Sequence, residues 1–148
     1  KDADFRERWG TGEAHFNNIQ LLNANGHAVE RINTRDAASI EISITPQTRL
    51  VSPIITVSIA KIGGETVWST TSQTARPPIR ALAEPSTMSI AIDHVPLLEG
   101  TYYISATCTD STGTTEYDHC QNWVRFDVHQ EHLFESGVVS IPSTWTVQ

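Results

Sequence analysis

Five residues of this chain, Tyr103, Thr107, Gln121, Trp123 and Arg125, combine the side-chain types that hold a hydroxyl-rich ligand such as a sugar. Flat aromatic rings pack against the C–H faces of a sugar ring, while guanidinium, amide and hydroxyl groups exchange hydrogen bonds with its hydroxyls. The five alternate with apolar residues along two runs between Leu97 and Val128, so they share one side of whatever those runs build. The same aromatic pair would also stabilise a bare hairpin or lie in a dimer contact, because cross-strand aromatics favour sheets without any ligand.

No catalytic signature accompanies them. The sequence has no Gly-x-Ser-x-Gly elbow, no phosphate-cradling glycine loop and no His-Glu-x-x-His pair. Glu116 and Asp118 imitate the paired carboxylates of a glycosidase. They fall in one polar loop, however, where carboxylates stay solvated and lack the burial that a catalytic acid needs. Cys108, His119 and Cys120 imitate a zinc set. Neighbouring residues on a strand face opposite ways, so His119 does not converge with both thiols and no metal site is expected. His129, His132 and the pair Asp93 and His94 read as exposed polar residues. Arg76, Arg80 and Arg125 would suit an anionic group if the fold brought them together, which the sequence leaves open.

The elements that must position these residues follow from alternation. In the first run Tyr102, Ile104, Ala106 and Cys108 fall on one face, and in the second Val124, Phe126 and Val128 do. A loop centred on Thr114 sets Ile104 opposite Val124, Tyr102 opposite Phe126 and Cys108 opposite Cys120 on the inward side. The outward side then pairs Tyr103 with Arg125, Ser105 with Trp123 and Thr107 with Gln121. A one-residue slip would bury Arg125 and Asp127, which pins the register. That register allows an oxidised pair of Cys108 and Cys120, although a reducing cytoplasm would keep both as thiols.

The whole chain has 148 residues, which suits one domain with a substantial core. It opens at Lys1 without an initiator Met, so a fragment or processed form is expected, with further activity carried upstream. Residues 1–12 are a leading segment. A strand over Glu13 to Leu22 slips its alternation at Asn17 and Asn18, which predicts a bulge. Ser39 to Thr45 alternates until Pro46 removes a ladder donor. Ile54 to Ile62 has Ile55, Val57 and Ile59 inward, and Gly63 and Gly64 turn the chain back through Glu65 to Thr71. The face of Trp68 depends on the length of that turn and stays open. A proline-rich connection over 72–86 precedes a strand with Met88, Ile90 and Ile92, and Gly137 to Ile141 forms the last strand. Roughly seven to nine short strands without a helical period predict an all-β fold, an immunoglobulin-like antiparallel β-sandwich.

Composition narrows the partners. A formal charge of −7 argues against nucleic acid and against anionic membrane surfaces, which require clustered cations. No apolar run is long enough for a helical membrane span, so no direct insertion is expected. Two cysteines are too few for a disulfide scaffold.

Several ordered segments resemble one family. Arg8-Trp9-Gly10-Thr11-Gly12-Glu13-Ala14 is similar to the start of the carboxy-terminal domain of Wzt-type ABC transporter ATPases, which export O-antigen polysaccharides. The turn at Asn25 and Gly26, the turn at Gly63 and Gly64, and Pro96-Leu97-Leu98-Glu99-Gly100-Thr101-Tyr102 follow in the family's order. So do Phe126-Asp127-Val128 and the closing Gly137-Val138-Val139-Ser140-Ile141-Pro142-Ser143-Thr144-Trp145.

The resemblance implies a non-catalytic β-sandwich over 13–136 that binds the exported glycan, often through a terminal modification. Tyr103, Trp123, Arg125, Gln121 and Thr107 would be its binding residues. Trp123 stands where the family usually has a smaller side chain, as a specificity determinant would. The resemblance further implies a homodimer in which residues 137–148 are exchanged, through Gly137, Val138, Val139, Ile141 and Trp145. ATP and Mg would belong only to an upstream ATPase domain, so this domain has no cofactor and is not an enzyme. Its setting would be cytoplasmic, at the inner face of the bacterial inner membrane beside a permease subunit. The alternative is a protein-binding sandwich of the fibronectin or adhesin type.

Overall fold

The computed structural model describes residues 4–131 and 134–147, so the expectation for His132 lies outside the described residues. Alternation decides the strands. In β4 (Ala38–Pro46) Ile40, Ile42 and Ile44 turn inward and are at most 1% exposed, while Ser39, Glu41 and Ser43 line the other face. β4 lies between β2 (Ala14–Asn23) and β9 (Ser86–Ile92) in a three-stranded antiparallel sheet. The expected bulge in β2 is present. Phe16 pairs with Ile44 and Asn18 with Ser43, which lets both Phe16 and Ile19 reach the core.

The facing sheet runs β1 (Glu7–Trp9), β11 (Glu116–His129), β10 (Gly100–Thr109), β6 (Ile54–Lys61), β7 (Thr66–Thr71). These neighbours are antiparallel, and β3 (Arg31–Asn33) lies parallel beside the end of β11. A short ribbon of β5 (Leu50–Val51) and β8 (Ala81–Leu82) clips the proline-rich connection. Ile55, Val57, Ile59, Tyr102, Ile104, Phe126 and Val128 supply this sheet's share of the core. The Tyr102 ring stacks on Phe126 at 5.6 Å and its hydroxyl donates to the Leu98 carbonyl at 2.6 Å, so burying it leaves no polar atom unpaired. Trp68 pairs with Ile59 and so faces inward, at the sheet edge and 37% exposed.

The hairpin of β10 and β11 keeps half of the expected register. Tyr102 meets Phe126, Tyr103 meets Arg125 and Ile104 meets Val124. Further along, Ala106 meets Cys120, Thr107 meets His119 and Cys108 meets Asp118. The pairs Cys108 with Cys120, Ser105 with Trp123 and Thr107 with Gln121 are therefore corrected. Residues 121–123 stand opposite Ser105 alone in a bulge turned by Asn122 at φ 50, whose N–H donates to Ser105 Oγ at 2.8 Å. Two additional residues conserve the alternation, so the same side chains face inward with new partners. Both cysteines are free and buried.

The reading of Glu116 and Asp118 as loop acids is also corrected, since both lie in β11. Asp118 is buried because it has partners. Arg8 Nη2 approaches one of its oxygens at 2.6 Å and Arg8 Nε the other at 3.1 Å, and the Phe16 N–H donates to it at 2.8 Å. Arg8 Nη2 also donates to the Phe16 carbonyl at 2.9 Å. This cluster joins β1 and β11 to β2 and closes one side of the sandwich.

The opposite side, between β7 and β9, is open and apolar. One cavity of about 270 Å³ is lined by residues including Ile42, Ile55, Val57, Met88 and Ile90. A neighbouring cavity of about 430 Å³ is lined by residues including Val67, Trp68, Ile90, Ile92 and Val139. The expected last strand is reduced to one bridge between Val139 and Leu97, beside hydrogen bonds from Leu98 to Val138 and from Ser140 to Pro96. Residues 141–147 then extend away, with Trp145 and Val147 each 95% exposed.

Two outcomes follow from this packing. Asp118→Ala leaves a half-buried guanidinium and a buried N–H without their acceptor, and should lower unfolding free energy in urea by about 2–3 kcal/mol. The thiols set an alkaline limit. Burial, aided by the Asp118 charge, pushes Cys108 from the ordinary value of 9.0 up to about 12 and Cys120 up to about 11. The unfolded chain releases these protons first, so their contribution is full below about pH 9 and is lost as pH rises through about 11 to 12. Urea midpoints measured across that window should fall less steeply in the Cys108→Ala, Cys120→Ala double variant than in wild type.

Candidate functional site

The outward side of the larger sheet carries a cluster of rings and polar groups where β1, β11 and β10 run side by side. Pairing of β1 with β11 sets Trp9 opposite His119, and pairing of β10 with β11 sets Thr107 on the other flank of His119. The Trp9 and His119 rings stack 4.1 Å apart at 8°. Hydrogen bonds hold both rings in place. The Trp9 indole N–H donates to Glu116 at 3.3 Å, and the two His119 nitrogens lie 2.9 Å from Glu116 and 2.7 Å from Gln121. Thr107 donates to the Asp118 carbonyl at 3.1 Å and reaches Glu116 at 3.4 Å.

Burial would push the Glu116 carboxyl up, but hydrogen bonds from Trp9, His119 and Thr107 and the charge of His119 bring it below the usual carboxylate range. It stays ionised at neutral pH while its side chain is 41% exposed. Gly10 fixes where the cluster begins. It has φ 152, and a Cβ there would lie 2.4 Å from the Tyr117 carbonyl oxygen, so the backbone leaves Trp9 by a path that only glycine allows.

Of the five residues chosen from sequence, Thr107 and Gln121 join this cluster. Tyr103 and Arg125 form a cross-strand pair further along the same sheet, but Tyr103 is 8% exposed and not an open platform. The reason is a strap made by residues 4–6. The Gly63 N–H donates to Asp4 at 2.8 Å, the Asn122 side chain donates to the Phe5 carbonyl at 3.1 Å, and the Arg6 guanidinium sits 3.7 Å from the centre of the Trp123 ring. These anchors carry the segment from the β6–β7 turn to the bulge of β11, across the outward side of β10. Trp123 is half-buried beneath Arg6, with the Arg8 guanidinium 5.4 Å from its ring. The expected continuous row of exposed rings is thus replaced by a covered part and an open part.

Other sequence candidates separate. Glu116 faces outward while Asp118 points inward to Arg8, so the two carboxylates do not flank a common substrate. His119 is likewise on the opposite side from Cys108 and Cys120, and no group of three potential metal ligands converges among the described residues. Arg76 and Arg80 lie on the connection that leaves the far end of β7, whereas Arg125 pairs with Tyr103 next to Ala60 at the other end of β6, so the three do not converge. His129 is half-buried and His94 exposed. Trp9 and His119 were missed as members of the cluster, and Arg6 as part of the strap. His119 shares the alternation of Gln121, which was a usable signal; Trp9 and Arg6 had none, because their partners lie more than a hundred residues away in sequence.

Comparison with known proteins agrees with this architecture. A search of curated proteins finds no match. The crystal structure of a Wzt C-terminal domain superposes with a TM-score of 0.83 at 16% identity, covering 97% of this chain and 89% of that one. A CARDB domain from Pyrococcus furiosus is more distant, with a TM-score of 0.43 at 16% identity over 78% of this chain and 96% of its own. The model of the Wzt C-terminal domain family matches residues 6–141, and this chain belongs to that family.

Proposed function

We propose that this domain recognises an O-antigen polysaccharide, without catalysis, for export by an ABC transporter at the cytoplasmic face of the bacterial inner membrane. The observation that carries this reading is the outward cluster in which Thr107 and Gln121 flank His119 on a sheet of this family's fold. The Tyr103–Arg125 pair lies further along the same side of β11, and Trp123 stands in the intervening bulge beneath Arg6. Such a surface offers amide, hydroxyl and guanidinium groups to sugar hydroxyls, and aromatic rings to sugar C–H faces.

The test is titration of the protein with the O-polysaccharide of its own source, followed by calorimetry. Gln121→Ala should weaken binding about fivefold, as loss of one net hydrogen bond implies, and Trp123→Ala about tenfold or more. Wild-type affinity in Gln121→Ala, Trp123→Ala and Tyr103→Ala alike would remove these residues from the site.

The open apolar seam favours a protein partner as well, and a second copy of this chain fits it. The tail carries Ile141, Trp145 and Val147 into solvent at 65%, 95% and 95% exposure, while among the described residues β9 pairs only with β4, which leaves its other edge without a strand. A tail laid along β9 would pair that edge and cover the seam between β7 and β9. Deleting residues 141–148 should convert a dimer into a monomer in sedimentation velocity. A truncated protein that remains dimeric would end the exchange proposal and leave glycan binding untouched.

A further inference from the structure

We infer that Trp9 and Glu116, held by His119, form the subsite for one uncharged pyranose ring of the ligand. This rests on the carbohydrate role proposed above and adds to it the platform, the hydroxyl acceptor and the charge class of the sugar. Trp9 is 44% exposed although it sits in a strand pairing, and one face of its indole is occupied by His119. Among the described residues no other ring or cation stacks on it, and its exposure leaves indole surface for a sugar's C–H face.

The platform is rigid before any ligand arrives. Its strand is paired to β11, its indole N–H is bound to Glu116, and its departure is fixed by Gly10. His119 is held at both nitrogens, and the chain of contacts continues from Gln121 to Asn122 at 3.4 Å and from Asn122 to the Phe5 carbonyl. Side chains that are already ordered cost little further entropy on binding.

Glu116 supplies the polar half. An ionised carboxylate has about four acceptor sites. Trp9 uses one oxygen, and His119 and Thr107 share the other, so capacity remains on a partly exposed group beside the indole. A carboxylate there accepts from neutral hydroxyls and repels an acidic sugar. The nearby cationic side chains do not reverse that choice, since Arg8 is committed to Asp118, Arg6 to the Trp123 ring, and the His119 ring to Glu116 and Gln121 on the covered face of the indole.

The experiment uses the 148-residue chain and two probes. The first is the O-polysaccharide of its own source; the second is a panel of methyl glycosides of neutral hexoses and of hexuronic acids, followed by saturation-transfer NMR and by tryptophan fluorescence. Trp9→Ala should weaken polysaccharide binding about tenfold or more, Trp9→Phe should restore most of it, and Glu116→Gln should weaken it about fivefold. Neutral glycosides should show transfer at ring C–H protons in wild type and lose it in Trp9→Ala, and uronides should show none. Urea unfolding of each variant separates loss of the site from loss of the fold, and Glu116→Gln keeps an acceptor for the indole. If Trp9→Ala and Glu116→Gln bind normally while Gln121→Ala does not, this subsite is wrong and the carbohydrate role stands. Preferred binding of uronides would overturn the charge class. If wild type binds no polysaccharide at all, the carbohydrate role fails and takes this subsite with it.

Discussion

The ion pair of Arg8 and Asp118 is the constraint on which the rest of the molecule depends. A carboxylate within a sandwich is tolerable only when its charge and lone pairs are met, and here a guanidinium and the Phe16 N–H meet them together. Because those partners come from β1 and β2, satisfying one charge also docks the leading strand, crosses between the sheets and shuts one side of the core. Trp9, next to Arg8 on the same short strand, is thereby brought onto the outward face. The outward cluster and the stability of the sandwich therefore share a single anchor, with its two faces divided between consecutive residues.

The two sides of the sandwich have opposite characters for the same reason. Where polar partners are available, the seam is closed by hydrogen bonds with fixed geometry. Between β7 and β9 the described residues make no such bond, and Ile90, Ile92, Val67 and Trp68 border open space instead. A protein whose core ends in an apolar slot and whose tail ends in unburied Trp145 and Val147 is incomplete by hydrophobic bookkeeping. Both deficits lie away from the outward cluster around Trp9 and His119, so covering them need not obstruct it.

Much of this fold is legible in the sequence, and the illegible parts share a cause. The isoleucines of β4, the bulge near Asn17 and the first half of the long hairpin follow from period-two patterning, which is a local property. The bulge at Asn122 escaped because an insertion of two residues leaves that pattern intact. Asp118 read as a solvated acid because nothing near it in sequence announces Arg8. Tyr103 read as exposed because the strap that covers it, residues 4–6, had no periodicity to place it. In the candidate site, Thr107 and Gln121 were found by alternation within their own strands. Trp9 was not, since an edge strand of three residues is defined only by the partner it finds.

Gly10 has a consequence for how this surface can change over time. Since its backbone is pressed against Tyr117 and admits no side chain, the position of residue 9 in space is set by the scaffold and not by its own identity. Replacing Trp9 by another residue would alter the size and polarity of what is displayed without moving the point of display. A substitution at residue 9 can therefore exchange a single side chain on a fixed mount, and the mount itself is the part that mutation can least afford to touch.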